Sequence, residues 1–264
     1  MITQEKSDSC SSVYFYSPVK NFMSSNQKLY EGKAKILYST KDPEILLTFF
    51  KDDATAFNAQ KKGSIIGKGK MNCTISSHIF KLLEVNGIPT HFIDCPEPDK
   101  MRVRKVKILP IEVIVRNIAA GSLCRQTGLT EGTILKFPLV EYCYKNDSLQ
   151  DPLLTNDRLL LLELATPEQL EQIRALALKI NDILMNLFNQ CQITLVDFKI
   201  EFGQDNHENL ILADEISPDS CRLWDQSQTD PNERVMDKDR FRRDLGNVEA
   251  AYQQVLKRIS AHKG

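Results

Sequence analysis

Residues 193–203 read ITLVDFKIEFG, and the alternation in this stretch predicts a β-strand of a half-buried sheet. Successive side chains of a strand point to opposite faces, so Asp197, Lys199 and Glu201 share one face. The other face is apolar and carries Val196, Phe198, Ile200 and Phe202. Three charged groups on a half-buried strand are unfavourable unless something compensates them. The charged face is therefore either solvated, with a self-neutralising pair, or part of a binding site.

The segment that follows favours a binding site. NLILADEIS, residues 209–217, is apolar up to Asp214 and Glu215, and the polar turn before it predicts a hairpin that brings these acids near Glu201. Clustered carboxylates raise one another's pKa unless a cation lies between them. Mg²⁺ binds proteins through one or two carboxylates together with substrate phosphates. We therefore predict Glu201 and Asp214 as Mg²⁺ ligands, with Lys199 and Asp197 beside the reacting groups.

An earlier stretch, LPIEVIVRNIAAGS at residues 109–122, predicts a second apolar strand with one arginine. Glu112 and Arg116 share a face opposite the aliphatic side chains. A guanidinium in such a strand needs an anion, which is either Glu112 or a ligand phosphate. The small residues after the strand offer amides and the Ser122 hydroxyl. Arg222, in SPDSCRLWD, is a second candidate for binding an anion.

Near the beginning of the chain, YEGKAK at residues 30–35 places Gly32, Lys33 and Lys35 in a strand or a tight turn. Backbone amides and ammonium groups there suit nucleotide phosphates. The pattern is weak, because GKxK is common on protein surfaces, and it is not a Walker loop, which needs GxxxxGK[ST]. GSIIGKGK at residues 63–70 has the same ambiguity.

The coarse order of elements predicts an α+β fold with two lobes. Residues 28–108 predict a small antiparallel lobe that is rich in strands, with one helix within Ile65–Asn86 that ends at Gly87. Residues 109–264 predict a larger mixed α/β lobe. Thr166, Pro167 and Gln169 form a capping box that begins a long helix. Two amphipathic helices are expected over 237–245 and 247–261. Residues 1–27 are interpreted as a flexible tail, or as the product of an upstream start codon.

Composition excludes several classes of protein. The 264 residues carry a formal net charge of -1, so no global field is available to hold a nucleic acid or an anionic membrane. No apolar run approaches the roughly 20 residues of a membrane span. The seven cysteines form no CxxC pair and the four histidines lie apart from them, which argues against a zinc site or a disulfide framework. We expect reduced thiols and a cytoplasmic location.

The sequence resembles the SAICAR synthetase family. LPIEVIVRNIAAGS is similar to the first signature of that family and LVDFKIEFG to the second. Further segments resemble the family in the expected order: YEGKAK, FKDDATAFN, DEISPDSCRLWD and MDKDRFRRDLG. The resemblance runs from about Lys28 to Ile259. It implies a two-lobed fold related to ATP-grasp and kinase-like nucleotide binders.

The resemblance also implies a set of ligand sites. ATP is expected between the lobes, with its adenine near Ile108 and its phosphates near Gly32, Lys33, Ala34 and Lys35. Mg²⁺ is expected at Glu201 and Asp214, in agreement with the carboxylate argument. The phosphate of carboxyaminoimidazole ribotide (CAIR) is expected near Arg116, Ser122 and Arg222. Asp197, Lys199 and Asp151 resemble polar positions that line the substrate cleft of the family.

The implied reaction joins CAIR to L-aspartate with ATP, giving SAICAR, ADP and phosphate. Two other interpretations remain open from the residues alone. A small-molecule or protein kinase would also use carboxylates to bind Mg²⁺ with the nucleotide, although the chain lacks an HRD-type loop and a DFG motif. The second alternative is a catalytically inactive nucleotide-binding module, but such a module has no need of buried opposing charges. Exposed apolar segments lead us to expect a homodimer.

Overall fold

The computed structural model describes residues 27–56 and 60–262. The predicted tail, except for Gln27, lies outside the described residues, as does part of the segment FKDDATAFN. Within these ranges, the chain forms thirteen strands and six α-helices, arranged around a five-stranded and a six-stranded antiparallel sheet.

The first sheet has the strand order β1-β2-β3-β7-β6. Its strands are β1 (Lys28–Glu31), β2 (Lys35–Ser39), β3 (Ile45–Phe50), β6 (Phe92–Glu97) and β7 (Lys100–Arg104). A separate hairpin consists of β4 (Asp53–Ala56) and β5 (Lys61–Ser64). YEGKAK, for which a strand and a turn were both open, forms the tight turn between β1 and β2, where Gly32 N donates to Lys35 O at 2.8 Å.

Helix α1 (Lys68–Val85) packs against this sheet at the position that the sequence predicts. Its apolar stripe is buried, as the spacing of Met71, Ile75 and Ile79 indicates. Gly87, with φ of 73°, follows the helix in the left-handed conformation that favours glycine. The predicted end of the helix is therefore confirmed.

The second sheet has the strand order β10-β9-β8-β11-β12, with β13 also paired to β11. Its strands are β8 (Lys107–Ile118), β9 (Ile134–Tyr144), β10 (Leu153–Leu154), β11 (Ile193–Gln204), β12 (Leu210–Ala213) and β13 (Cys221–Asp225). The remaining helices are α2 (Ser122–Thr127), α3 (Asn156–Leu161), α4 (Pro167–Gln190), α5 (Asp239–Arg242) and α6 (Val248–Ala261). The first of the two predicted terminal helices is thus shorter than expected.

Helix α4 covers the apolar face of the second sheet. It begins with the predicted capping box, in which Thr166 and Gln169 exchange side-chain and backbone hydrogen bonds. Its buried stripe packs on β11, where Phe198, Ile200 and Phe202, predicted for the inner face, are at most 1% exposed. Val196 was predicted for the same face but belongs to a separate apolar cluster with Trp224 and Val235, because the register of β11 shifts between Leu195 and Asp197. Because side chains alternate along β11, the charged face points away from α4.

One hydrophobic cluster includes residues of both sheets, from Phe50 and Phe80 to Ile180 and Phe198. The chain passes from the first sheet to the second between β7 and β8, close to the boundary predicted at residue 108. His91 N donates to Leu212 O at 2.8 Å and connects the two parts. The predicted α+β architecture is confirmed. None of the helices in the described ranges has the length and apolarity needed to cross a bilayer.

Candidate active site

The charged faces of β8 and β11 form the floor of a cleft with two adjoining cavities. The larger, of about 760 Å³, extends from the β1–β2 turn to the end of β12. The smaller, of about 390 Å³, lies over β8, β11 and β13. The cavities share part of their lining, which includes Lys33, Glu112, Lys199, Asp219 and Lys238. A ligand in one cavity therefore reaches a ligand in the other.

The larger cavity contains alternating charges that we name the lysine cluster: Lys35, Lys145 and Lys199 with Glu112, Glu201, Asp214 and Glu215. Lys199 Nζ lies 2.7 Å from Glu201 Oε1, 3.0 Å from Glu112 Oε1 and 3.7 Å from Asp214 Oδ2. Lys35 forms an ion pair with Asp214 and lies 2.9 Å from Glu215 Oε1. The middle of β8 and of β11, the start of β2 and the residues after β12 thus bring together opposite charges that are distant in sequence.

The lysine cluster keeps Lys199, Lys35 and Asp214 ionised. Burial lowers the pKa of Lys199, but attraction to Glu201, Asp214 and Glu112 outweighs burial and raises it well above its usual value. The pKa of Lys35 is raised in the same way by Asp214 and Glu215, against the effect of burial. Burial raises the pKa of Asp214, while Lys35 and Lys199 lower it by more. All of these groups are therefore charged at neutral pH.

Glu201 and Asp214, the predicted Mg²⁺ ligands, both contact Lys199 and so lie on opposite sides of one ammonium group. No set of three or more His, Cys, Asp or Glu side chains in residues 27–56 and 60–262 is arranged to hold a metal. Two carboxylates beside a phosphate-sized cavity are the ordinary protein contribution to a Mg²⁺–nucleotide site. The donor set fits Mg²⁺ that binds together with a nucleotide.

The smaller cavity contains two guanidinium groups with their partners, which we name the arginine cluster: Arg116, Arg222, Asp197, Glu141, Asp239 and Ser122. Asp197 Oδ2 accepts from Arg116 Nη1 at 2.9 Å and from Arg222 Nη1 at 2.8 Å. Arg116 also donates through Nε to Glu141 Oε2 at 2.5 Å and through Nη2 to Ser122 Oγ at 2.9 Å. Both forks are fixed by carboxylates.

The protein partner suggested for Arg116 from the sequence, Glu112, was wrong. Glu112 contacts Lys199 instead, and Arg116 contacts Asp197 and Glu141. The register explains the difference, since Arg116 lies directly opposite Asp197 on β11, whereas Glu112 lies opposite Glu201. Glu112 therefore lies four residues, or two side-chain repeats of the strand, away from Arg116.

Gly121 lies directly beneath the Arg222 guanidinium. A Cβ at this position would lie 2.5 Å from Arg222 Nη2, and the backbone has φ of 57° and ψ of -123°. Both features exclude a larger side chain without displacement of Arg222 or backbone strain. Among the small residues singled out in the sequence, this glycine therefore sets the position of the guanidinium.

The other predicted residues lie at different places around the cleft. Gly32, Lys33 and Ala34 line the larger cavity with Lys35, and Lys33 Nζ lies 2.7 Å from Asp147 Oδ1 across the cleft. Asp151, predicted to line the substrate cleft, also lines this larger cavity and accepts from Asn146 N at 2.8 Å. Ile108 is 38% exposed at the start of β8 and is not among the residues that line either cavity.

Sequence reasoning missed several charged groups of the cleft, among them Lys145, Asp219 and Lys238. Lys145 follows β9 and pairs with Glu201, while Asp219 and Lys238 line both cavities. Lys145 lacked a signal because β9 was not predicted. Asp219 and Lys238 lie in DEISPDSCRLWD and MDKDRFRRDLG, two segments that resemble the family, and their charge in those segments was the available signal.

Comparison with known proteins assigns the chain to a family. The family model described as SAICAR synthetase matches residues 28–259. The chain belongs to the SAICAR synthetase family. The phosphoribosylaminoimidazole-succinocarboxamide synthase of Trichodesmium erythraeum (strain IMS101) is 87% identical over 242 residues, which cover 92% of this chain and 100% of that protein. This confirms the family indicated by the two signature segments.

Solved structures agree with the SAICAR synthetase assignment. The crystal structure of phosphoribosylaminoimidazole-succinocarboxamide synthase from Ehrlichia chaffeensis matches with a TM-score of 0.86 and 45% identity, over 90% of this chain and 100% of that one. A SAICAR synthetase in complex with ADP matches with a TM-score of 0.84 and 44% identity, over 89% and 98% of the two chains. The family consists of ATP-dependent ligases that join CAIR to L-aspartate in purine biosynthesis, and this chain is such a ligase.

Proposed function

We propose that ATP binds in the larger cavity with its phosphates at the lysine cluster, and that CAIR binds in the smaller cavity with its phosphate at the arginine cluster. The observation that carries this assignment is the shared lining of the two cavities. With one ligand in each cavity, the carboxylate of CAIR would lie next to the terminal phosphate of ATP. L-Aspartate then reaches the activated carboxyl where the cavities meet.

The nucleotide end rests on the β1–β2 turn. Its backbone comes close to the cavity at Gly32, and Lys33 and Lys35 contribute ammonium groups on either side. Lys33 is 45% exposed and available to a ligand, whereas Lys35 is held between two carboxylates. Lys33 therefore contacts the phosphates directly, and Lys35 mainly fixes Asp214 and Glu215.

Glu201 and Asp214 are the residues that would hold Mg²⁺ together with the nucleotide. When bound, Mg²⁺ neutralises phosphate charge during phosphoryl transfer. Lys199 contacts both carboxylates and lines both cavities. We assign it to the developing negative charge between the terminal phosphate and the CAIR carboxylate, which makes Lys199 the catalytic lysine of the site.

The CAIR end is a pair of guanidinium forks suited to a phosphate. Arg116 and Arg222 supply the forks and Ser122 a hydroxyl, all on one wall of the smaller cavity. Asp197 was predicted as catalytic and lies in the site, but both its arginine contacts run through one oxygen, Oδ2. We therefore propose that Asp197 orients the two forks.

The chemistry requires these groups to act in sequence. A carboxylate is a poor electrophile, because its charge repels a nucleophile and oxide is a poor leaving group. Transfer of the terminal phosphate to the CAIR carboxylate gives an acyl phosphate, which the aspartate amine attacks with loss of phosphate. The enclosed cleft limits access of water, which would otherwise hydrolyse the acyl phosphate.

A coupled ADP-release assay tests the reaction. We expect ADP and SAICAR only when ATP, CAIR and L-aspartate are all present. Steady release of ADP with CAIR alone, together with a stable phosphorylated product, would identify a kinase instead. ATP binding without turnover under any combination would identify an inactive module.

The cellular setting is a further proposal. The six cysteines within the described residues are free thiols, which favours a reducing compartment such as the cytoplasm. Ile134 and Phe137 are 79% and 66% exposed on β9, in keeping with a homodimer. Sedimentation of the wild type, and of a variant with Phe137→Ser, tests this assembly.

A further inference from the structure

Behind the junction of the two cavities lies a buried group of three polar side chains. Lys68, at the start of α1, is 1% exposed, and its Nζ donates to Asp219 Oδ2 at 2.7 Å. Tyr252, on α6, is fully buried, and its hydroxyl donates to Asp219 Oδ1 at 2.7 Å. Two helices that are far apart in sequence thus bind the two oxygens of one carboxylate.

This group is a costly way to pack helices. A buried lysine and carboxylate lose their hydration, and apolar residues of similar size hold α1 against α6 at least as well. The difference lies in Asp219, which lines both cavities. An ionised carboxylate has about four acceptor positions, so two remain after Lys68 and Tyr252 are bound.

The surroundings keep Asp219 charged. Burial raises its pKa, but the charges of Lys68 and Lys238, with the hydrogen bonds from Lys68 and Tyr252, lower it well below its usual value. Burial and the charge of Asp219 raise the pKa of Tyr252, so the tyrosine stays protonated and donates. On the open side, burial lowers the pKa of Lys238 and Asp219 opposes that change, while Asp237 and Arg242 are the other charged groups near Tyr252.

We propose that Lys68 and Tyr252 are positioning residues of the ligase reaction, which hold Asp219 ionised and fixed at the junction of the two cavities. Asp219 then offers its remaining acceptor positions to a substrate N–H group at the place where the amine meets the acyl phosphate. The inference rests on the proposed arrangement of ATP and CAIR in the cleft. It gives the C-terminal helix α6 a role in catalysis as well as in packing.

Tyr252→Phe removes a single hydroxyl and leaves the packing of the ring. We expect kcat to fall about 10-fold, because one hydrogen bond to a charged group is lost. The KM values for ATP and CAIR should remain unchanged, since neither nucleotide nor phosphate contacts are altered. Steady-state kinetics with each substrate varied in turn measure the change in kcat separately from the KM values.

Lys68→Met removes the cation that holds Asp219 ionised. The pKa of Asp219 then rises, so a larger fraction is protonated at any given pH and kcat falls as the pH is lowered. We expect the kcat of this variant to fall with decreasing pH at a higher pH than the kcat of the wild type does. If this variant does not fold, the milder Tyr252→Phe still decides the inference.

Arg258→Met is the matched control. It breaks a partly buried ion pair on the same helix, Arg258 Nη2 to Asp225 Oδ2 at 2.6 Å, and neither residue lines the two cavities. We expect a lower melting temperature with kcat and its pH profile unchanged. If Tyr252→Phe behaves like Arg258→Met, the group is purely structural and the inference is overturned. Failure of the wild type to release ADP would instead overturn the proposed function.

Discussion

The two ends of the cleft carry similar numbers of opposed charges but arrange them differently. In the lysine cluster, Lys35 and Lys199 each contact two or more carboxylates, and Lys145 and Lys199 are 45% and 28% exposed. In the arginine cluster, Arg116 is 3% exposed and uses three different nitrogens for three separate partners. The lysine cluster is therefore a set of point charges that can adjust their positions. The arginine cluster is a template, because its guanidinium groups are held in fixed orientations.

This difference matches what each end must do. A lysine ammonium is a compact charge on a flexible chain, and it can follow a phosphate whose charge changes during transfer. A guanidinium fork held by carboxylates suits a phosphate that binds and does not react. The comparison therefore predicts that the lysine cluster determines turnover, whereas the arginine cluster determines CAIR affinity and stability.

The largest effect is expected from Glu201→Gln. This change removes the charge that Lys145 and Lys199 share and one of the two proposed Mg²⁺ ligands. We expect kcat to fall by at least about 1,000-fold, or ~4 kcal/mol of transition-state stabilisation. The fold should persist, because Lys199 keeps Glu112 and Asp214. Kinetics across a Mg²⁺ titration measure the loss of kcat, and circular dichroism shows whether the fold persists.

Glu208→Gln, on the exposed turn after β11, is the control for Glu201→Gln and should behave as the wild type. Near-normal kcat for Glu201→Gln at ordinary Mg²⁺ would show that the lysine cluster does not bind the metal. It would also remove the main distinction between the two ends of the cleft.

Arg116→Lys tests whether the arginine end needs shape as well as charge. A single ammonium cannot replace three donors that point to Glu141, Asp197 and Ser122. We expect a loss of about 2–3 kcal/mol in the free energy of unfolding, and at least a roughly 10-fold rise in the KM for CAIR, with the KM for ATP unchanged. Denaturant unfolding and kinetics provide the two measurements.

Arg102→Lys, in an exposed pair with Asp94, is the comparison for Arg116→Lys and should show no measurable change. If Arg116→Lys retained full stability and CAIR affinity, charge alone would suffice. The arginine cluster would then be no more of a template than the lysine cluster.

Local pattern was enough to predict the floor of the cleft. The alternation in 193–203 and in 109–122 gives both the strands and their charged faces, because the side-chain period of a strand is fixed at two. The capping box at Thr166 and the buried stripe of α4 follow from equally local rules. These features depend on neighbours within a few residues.

The hairpin of β11 and β12 was predicted, but partnerships between strands that no short turn joins were beyond the sequence. Glu141 reaches Arg116 only because β9 pairs with β8 in one register, after a connection that contains α2. No strand was predicted there, since ILKFPLVEYCY contains Pro138 and begins with exposed apolar side chains. Lys145 was missed for the same reason. A register cannot be read from one strand when the other has not been recognised.

Gly121→Ala perturbs the template without removing a charge. The added Cβ would lie 2.5 Å from Arg222 Nη2 and push the guanidinium from its place. We expect the KM for CAIR to rise about 10-fold and the free energy of unfolding to fall by about 1–2 kcal/mol, through loss of a charged contact and through backbone strain.

Gly128→Ala separates these two causes. Gly128 also has a positive φ, of 74°, but a Cβ there would meet nothing within 4 Å. This control should lose stability and keep its KM for CAIR. Equal CAIR affinity in both variants would show that the position of Arg222 does not govern substrate binding.

The smallest effect is expected from Lys33→Met, at the exposed edge of the lysine end. Its ion pair with Asp147 joins side chains that are 45% and 72% exposed, so the free energy of unfolding should change by less than about 0.5 kcal/mol. The KM for ATP should still rise by about 3- to 10-fold, because one adjustable charge is lost from the phosphates. Lys41→Met, in the turn between β2 and β3 and outside both cavities, is the comparison and should leave that KM unchanged. If Lys33→Met also left the KM for ATP unchanged, the β1–β2 turn would not contact the phosphates, and the adjustable charges would be confined to Lys145 and Lys199.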